Sequence, residues 1–296
     1  MIALPPAVSG EDRTLRDRAG TLVVRVAGEG PPLVLLHSVN VAASAAEVAP
    51  LHEWARGHFR VHTPDLPGFG RSERSRRRYT PRLYTDAIHD VLDDVARADG
   101  RPVHALALST SAEFLARAAL ERPERFASLA LVTPTGFDRR SVNRRGPPGS
   151  TREIRWLKRV LGVSAIGEGA FRLLTRPGVI RYFLERTFGR KEIDEDLWRY
   201  CCQSVRAPGA AFAPLAFLSG SLFSDDVRNV YEALGERCWL AHGTRGDFRD
   251  FTEADWASRA PNWTVQAFPT GALPFFEERT AFLRAWAAFL EVPFED

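Results

Sequence analysis

Cysteine, lysine and methionine are scarce in this chain of 296 residues, which holds three cysteines, one methionine and only two lysines, Lys158 and Lys191. Cys201 and Cys202 are adjacent and Cys238 stands apart, so they form neither a disulfide framework nor a zinc pattern. That usage fits a reducing, cytoplasmic setting. No run approaches the roughly 18 apolar residues that span a bilayer, and residues 1–12 carry no basic stretch leading into an apolar one. A soluble, unexported protein is therefore expected. Repeats and low-complexity tracts are missing too. With 45% hydrophobic and 26% charged residues the composition is close to average, which excludes disordered and fibrous chains. A formal charge of +3 gives no reason to expect a nucleic-acid partner. The arginines do gather at Arg139, Arg140, Arg144, Arg145, Arg152, Arg155 and Arg159. Such a cluster reads first as a solvated face, and second as a patch for phosphate, anionic lipid or an acidic substrate.

What is present is a regular alternation. The length exceeds one ordinary domain of about 150 residues but suits one α/β domain carrying an insertion. After a polar start, residues 21–27 alternate, a Gly-Glu-Gly-Pro-Pro turn follows, and 33–36 are aliphatic, which reads as a hairpin feeding a buried strand. Helical patterns at 43–57, 84–98 and 112–121 then alternate with strand patterns at 59–63, 103–108 and 128–132. The alternation stops at 138–229, which reads as an inserted helical cap, and resumes with strands at 238–241 and 263–268 and helices near 252–260 and 275–290. The expected fold is a mostly parallel sheet flanked by helices. Its core would comprise 1–137 and 230–296. Trp156, Leu157, Phe171, Leu173, Phe183, Phe212, Phe217 and Phe223 of the insertion are expected to line or support a pocket between cap and sheet.

Strand 103–108 runs directly into Ser109-Thr110-Ser111-Ala112 and a helix. A serine at such a switch is either an ordinary helix N-cap or the nucleophile of a strained elbow, where the following helix N-terminus favours an oxyanion. Glu113 lies one turn further along a helix expected to be largely buried, which makes it either a salt-bridged glutamate or a raised-pKa acid with a catalytic or binding role.

Leu35-Leu36-His37-Ser38, the loop Pro64-Asp65-Leu66-Pro67-Gly68-Phe69-Gly70-Arg71-Ser72, Pro123-Glu124-Arg125-Phe126 and Ala241-His242-Gly243-Thr244-Arg245-Gly246-Asp247 occur in this order. With the order of elements, they make the chain resemble the α/β-hydrolase superfamily over nearly its whole length, the insertion least. The resemblance implies Ser109 as nucleophile, Asp247 as the acid of a triad, and the N–H groups of Val39 and Thr110 as oxyanion donors. It implies a small-molecule substrate and no metal or organic cofactor. It also implies a histidine before the last helix, and there the chain departs, because Ala272 occupies that slot and no histidine follows His242. Ser38 stands where glycine is usual. His37, at the end of the strand before the oxyanion loop, is the nearest substitute base. Dehalogenase and epoxide-hydrolase activities are disfavoured, since their nucleophile is an aspartate.

The expectation is thus a serine hydrolase for a small, largely apolar ester or acyl compound, impaired or atypical at Ala272. Two alternatives stand beside it: a non-catalytic ligand-binding relative, and a lyase-type enzyme using Glu113 or His37 for proton transfer. Ala272 is equally consistent with an introduced substitution.

Overall fold

A computed structural model describes residues 4–294, so the outermost residues of the core segments read from sequence, 1–3 and 295–296, lie outside it. Eight strands form one sheet: β1 (Glu11–Asp17), β2 (Gly20–Ala27), β3 (Pro32–Leu36), β4 (Arg60–Pro64), β5 (Val103–Leu108), β6 (Phe126–Val132), β7 (Cys238–Gly243) and β8 (Trp263–Phe268). They lie in the order β1-β2-β4-β3-β5-β6-β7-β8. β2 pairs antiparallel with β1 and β4, and every pairing from β4 to β8 is parallel. The central strands β3, β5 and β6 are short and aliphatic because both faces of the sheet are covered there. In β3, Val34 and Leu36 join the core on one face while Leu33 and Leu35 join the core on the other.

The first face is covered by α2 (Pro81–Ala98) and α3 (Ser111–Glu121), the second by α1 (Ala49–Ala55) and, after the short α11 (Pro274–Glu277), α12 (Arg279–Leu290). α2 starts three residues before the pattern read at 84–98. Pro81 sits in its first turn and the Thr80 hydroxyl accepts the Leu83 N–H at 3.3 Å. Between β6 and β7 lie α4 (Arg155–Leu161), α5 (Ser164–Leu174), α6 (Pro177–Phe188), α7 (Glu195–Ser204), α8 (Phe212–Leu218) and α9 (Val227–Glu232). Among the described residues this segment contributes no strand to the sheet, and its only ladder contact is the isolated bridge Thr151–Ser224. α10 (Asp255–Arg259) joins β7 to β8.

Three expectations change. The polar start contains β1, whose alternation is masked because only Leu15 faces the core while Glu11, Asp12, Arg16 and Asp17 face solvent. Residues 21–27 and 33–36 are not a hairpin, because β4 lies between them and takes the ladder of each. The 275–290 helix is also two helices, broken where Glu278 leaves helical backbone at φ −114° and ψ 55°.

Candidate active site

The parallel strands deliver their following loops to one edge of the sheet, the edge where sites form in such folds. Ser109 ends β5, the loop with Val39 follows β3, Thr133 follows β6, Asp247 lies in the loop after β7 and Ala272 in the loop after β8. Ser109 sits at φ +51°, in the left-handed region that costs a non-glycine residue about 1 kcal/mol or more. Its N–H donates to the Val132 carbonyl at 3.0 Å and its carbonyl accepts the Ala112 N–H at 3.1 Å, so both neighbouring elements hold the bend. This turn is a strained elbow and not a helix N-cap, since the Ser109 side chain caps nothing in α3. The serine is half-buried, and among the described residues its hydroxyl has no hydrogen-bond partner.

The two N–H groups expected to receive an oxyanion also stay unspent. Neither Val39 nor Thr110 donates its N–H to another group among the described residues. The loop bearing Val39 is fixed around them. Ser111 Oγ donates to the His37 carbonyl at 2.6 Å, which ties the start of α3 to the end of β3. Glu47 accepts the Ser38 N–H at 2.8 Å and the Asn40 amide at 2.8 Å, while that amide also reaches Ser38 Oγ at 2.7 Å. Ser38 is accommodated where glycine is usual because its side chain belongs to this network. Ser111 and Glu47 are positioning residues that sequence reasoning missed; their only sequence signal is polarity in otherwise apolar surroundings.

His37 is corrected as a substitute base. Its Nε2 accepts the Leu66 N–H at 2.9 Å, so Nδ1 carries the proton and donates to the Ser38 carbonyl at 2.6 Å. Both nitrogens are used on backbone, and complete burial holds its pKa below the usual histidine value. His242 is turned to the Gly243 carbonyl and stacks on Phe251, 4.1 Å between ring centres.

Glu113 is fully buried, and burial raises its pKa. One carboxyl oxygen accepts the Thr135 hydroxyl and the other the Ser224 N–H at 2.8 Å. It fastens α3 to the loop after β6 and to the end of the insertion, and the lyase reading, which needs a carboxyl or imidazole free for substrate, loses both of its groups.

Asp247 and Ala272 are brought together by α6 and not by each other. Asp247 is exposed, and its carboxylate accepts the guanidinium of Arg186 with one contact at 2.6 Å, while its N–H donates to the Arg186 carbonyl at 3.2 Å. One residue on, the Thr187 carbonyl accepts the Ala272 N–H at 2.8 Å. Gly271 lies against Phe188 so closely that a Cβ there would come within 2.5 Å of the Phe188 backbone. The last turn of α6 thus contacts the loop of the expected acid and the loop where the resemblance leads one to expect a histidine. Thr133, at φ +45°, closes the far side by donating to the Ala272 carbonyl at 2.8 Å.

The expected pocket lining is partly corrected. Phe171 is buried and Leu157, Phe212, Phe217 and Phe223 are half-buried, but Trp156, Leu173 and Phe183 project into solvent. A cleft of about 360 Å³ does open beside the insertion, yet Arg78, Arg82, Arg117, Glu153 and Lys158 are among its lining and Ser109 is not.

Solved structures of this architecture include a serine hydrolase involved in carbazole degradation (TM-score 0.73, 16% identity, covering 96% of this chain and 99% of that one). A meta-cleavage product hydrolase from Pseudomonas fluorescens superposes with a TM-score of 0.71 at 17% identity, over 96% and 98% of the two chains. An esterase from Exiguobacterium antarcticum gives 0.72 at 18% identity, over 94% and 98%. At such identities the likeness speaks for the fold. No curated protein sequence matches the chain. The model of the alpha/beta hydrolase family, by contrast, matches residues 33–288, and with the sheet order and the elbow already described, the chain belongs to the alpha/beta hydrolase family.

Proposed function

We propose that this protein is a serine-hydrolase relative that takes a small, largely apolar ester or acyl compound beneath residues 138–229 acting as a cap. Ser109 attacks slowly because no side chain accepts its proton. The observation that carries this reading is the combination at one point of a strained, half-buried Ser109 and two unspent N–H groups with no imidazole in contact. The N–H groups of Val39 and Thr110 and the start of α3 are suited to stabilise the tetrahedral oxyanion. The hydroxyl proton passes to water or hydroxide. Loss of the base lowers turnover roughly 10⁴-fold or more against a complete triad, leaving the contribution of the oxyanion site. Fluorophosphonate labelling followed by intact mass tests this: one adduct on the native chain, none on Ser109→Ala, with aryl-ester turnover only slightly above buffer. Absence of any adduct on the native chain contradicts it.

A specific observation favours a second reading, a non-catalytic binding protein. Arg186 occupies the Asp247 carboxylate, and the backbone of α6 packs on the loop where the histidine would stand. On that reading Ser109→Ala leaves ligand affinity unchanged and the native chain takes no adduct.

A further inference from the structure

Large apolar side chains exposed to solvent are unevenly spread. Eleven are exposed among the described residues, and eight of them lie between positions 154 and 183 of the insertion. The densest part is the corner from α4 into α5. Trp156 is 66% exposed, Val160 follows one turn later, and Val163 and Ile166 continue past the end of α4 into α5. α4 buries none of its residues fully. A surface helix normally hides an apolar stripe against its own protein, and this one presents tryptophan and valine outward.

The charges beside this corner are equally unusual. Between 152 and 176 stand six cationic side chains and two carboxylates, Glu153 and Glu168. Glu153 pairs with Lys158, and Glu168 reaches Arg172 at 4.0 Å. Arg152, Arg155, Arg159 and Arg176 are exposed and make no ion pair among the described residues. Arg155 and Arg159 are one helical turn apart, an arrangement of like charges that opposes the helix unless an anion screens it. Outward apolar side chains, an exposed tryptophan and unpaired arginines on one short segment match what an interfacial helix presents to anionic lipid. A second copy of the chain fits less well, because a two-fold contact would set these arginines against their own copies.

We propose that the α4–α5 corner docks on an anionic lipid surface, with Trp156, Val160, Val163 and Ile166 entering the headgroup boundary and Arg152, Arg155, Arg159 and Arg176 contacting lipid phosphates. This docking is independent of the chemistry at Ser109.

Flotation of the full chain with vesicles of phosphatidylcholine alone, or with 30% phosphatidylglycerol, tests it. The expected result is binding to the anionic vesicles only, reversed by high salt. Arg155→Gln with Arg159→Gln is expected to lower the partition coefficient by about 25-fold, fivefold per cation. Trp156→Ser is expected to weaken binding while the exposed control Leu120→Ser does not. Because these side chains are exposed, the variants keep their native circular dichroism and melting. No binding, equal binding to both vesicles, or binding unchanged in the Trp156 and arginine variants overturns the proposal. So does a sedimenting dimer that Trp156→Ser abolishes in a chain that does not float.

Discussion

Ser109 and Thr133 both adopt positive φ, at +51° and +45°, at the ends of neighbouring strands. Strain of this kind persists only where the surroundings over-determine it, and here the elbow is held by the Val132 carbonyl and the start of α3. Glycine removes the side-chain cost of the bend, so Ser109→Gly is expected to stabilise the fold by about 1 kcal/mol, read as a higher urea midpoint at an unchanged slope. A lower midpoint would mean that the Ser109 side chain makes a stabilising contact. The elbow was legible in the sequence because a strand pattern ran into serine and then a helix without a gap. That no histidine follows His242 is legible as well, since it needs only the order of residues. The state of His37 was not, because its Nε2 is satisfied by the Leu66 N–H, brought from 29 positions away by the fold.

At the scale of elements, Glu113 joins three pieces of chain that the sequence keeps apart, α3, the Thr135 loop and Ser224. It lies one helical turn past Ser109, a spacing that a fastening and a catalytic acid share. Burial raises its pKa, so its contribution to stability is complete below the ordinary glutamate value of 4.5 and falls as pH rises through the raised native value. Glutamine keeps an acceptor for the Ser224 N–H, can donate to the Thr135 oxygen, and never ionises. Relative to the native chain, Glu113→Gln is therefore expected to be more stable at pH 8 than at pH 5 in urea unfolding. Glu113→Ala orphans both partners and is expected to cost about 2 to 4 kcal/mol at either pH. A Glu113→Gln difference that is the same at both pH values would show that the buried carboxyl does not titrate between them. The last turn of α6 was the element least readable in advance. Nothing in Arg186-Thr187-Phe188 says that it reaches loops 61 and 85 residues further on, and only the folded chain brings Asp247 and Ala272 to it.

For the whole molecule, the parallel order of the six strands from β4 to β8 places their following loops on one edge, and this much followed from the alternation of strands and helices. The antiparallel end did not, because β1 is mostly charged and β4 enters between β2 and β3. The loss of alternation at 138–229 reads as helical, and α4 to α9 lie there, but two of its aromatic residues assigned inward, Trp156 and Phe183, point out. Hydrophobicity tells that a side chain prefers cover and does not name the cover, and in α4 Leu157 and Leu161 are half-buried while Trp156 and Val160 stay exposed.

The central claim is that Ser109 is a presented nucleophile without an imidazole base, and the rate of its fluorophosphonate labelling against pH tests this most directly. With hydroxide as the proton acceptor, the logarithm of the rate rises steadily from pH 5 to pH 9 with no inflection near the histidine range. A sigmoidal rise that levels off with a midpoint between pH 6 and 8, absent from Ser109→Ala, would reveal a titrating base at the serine and contradict the account.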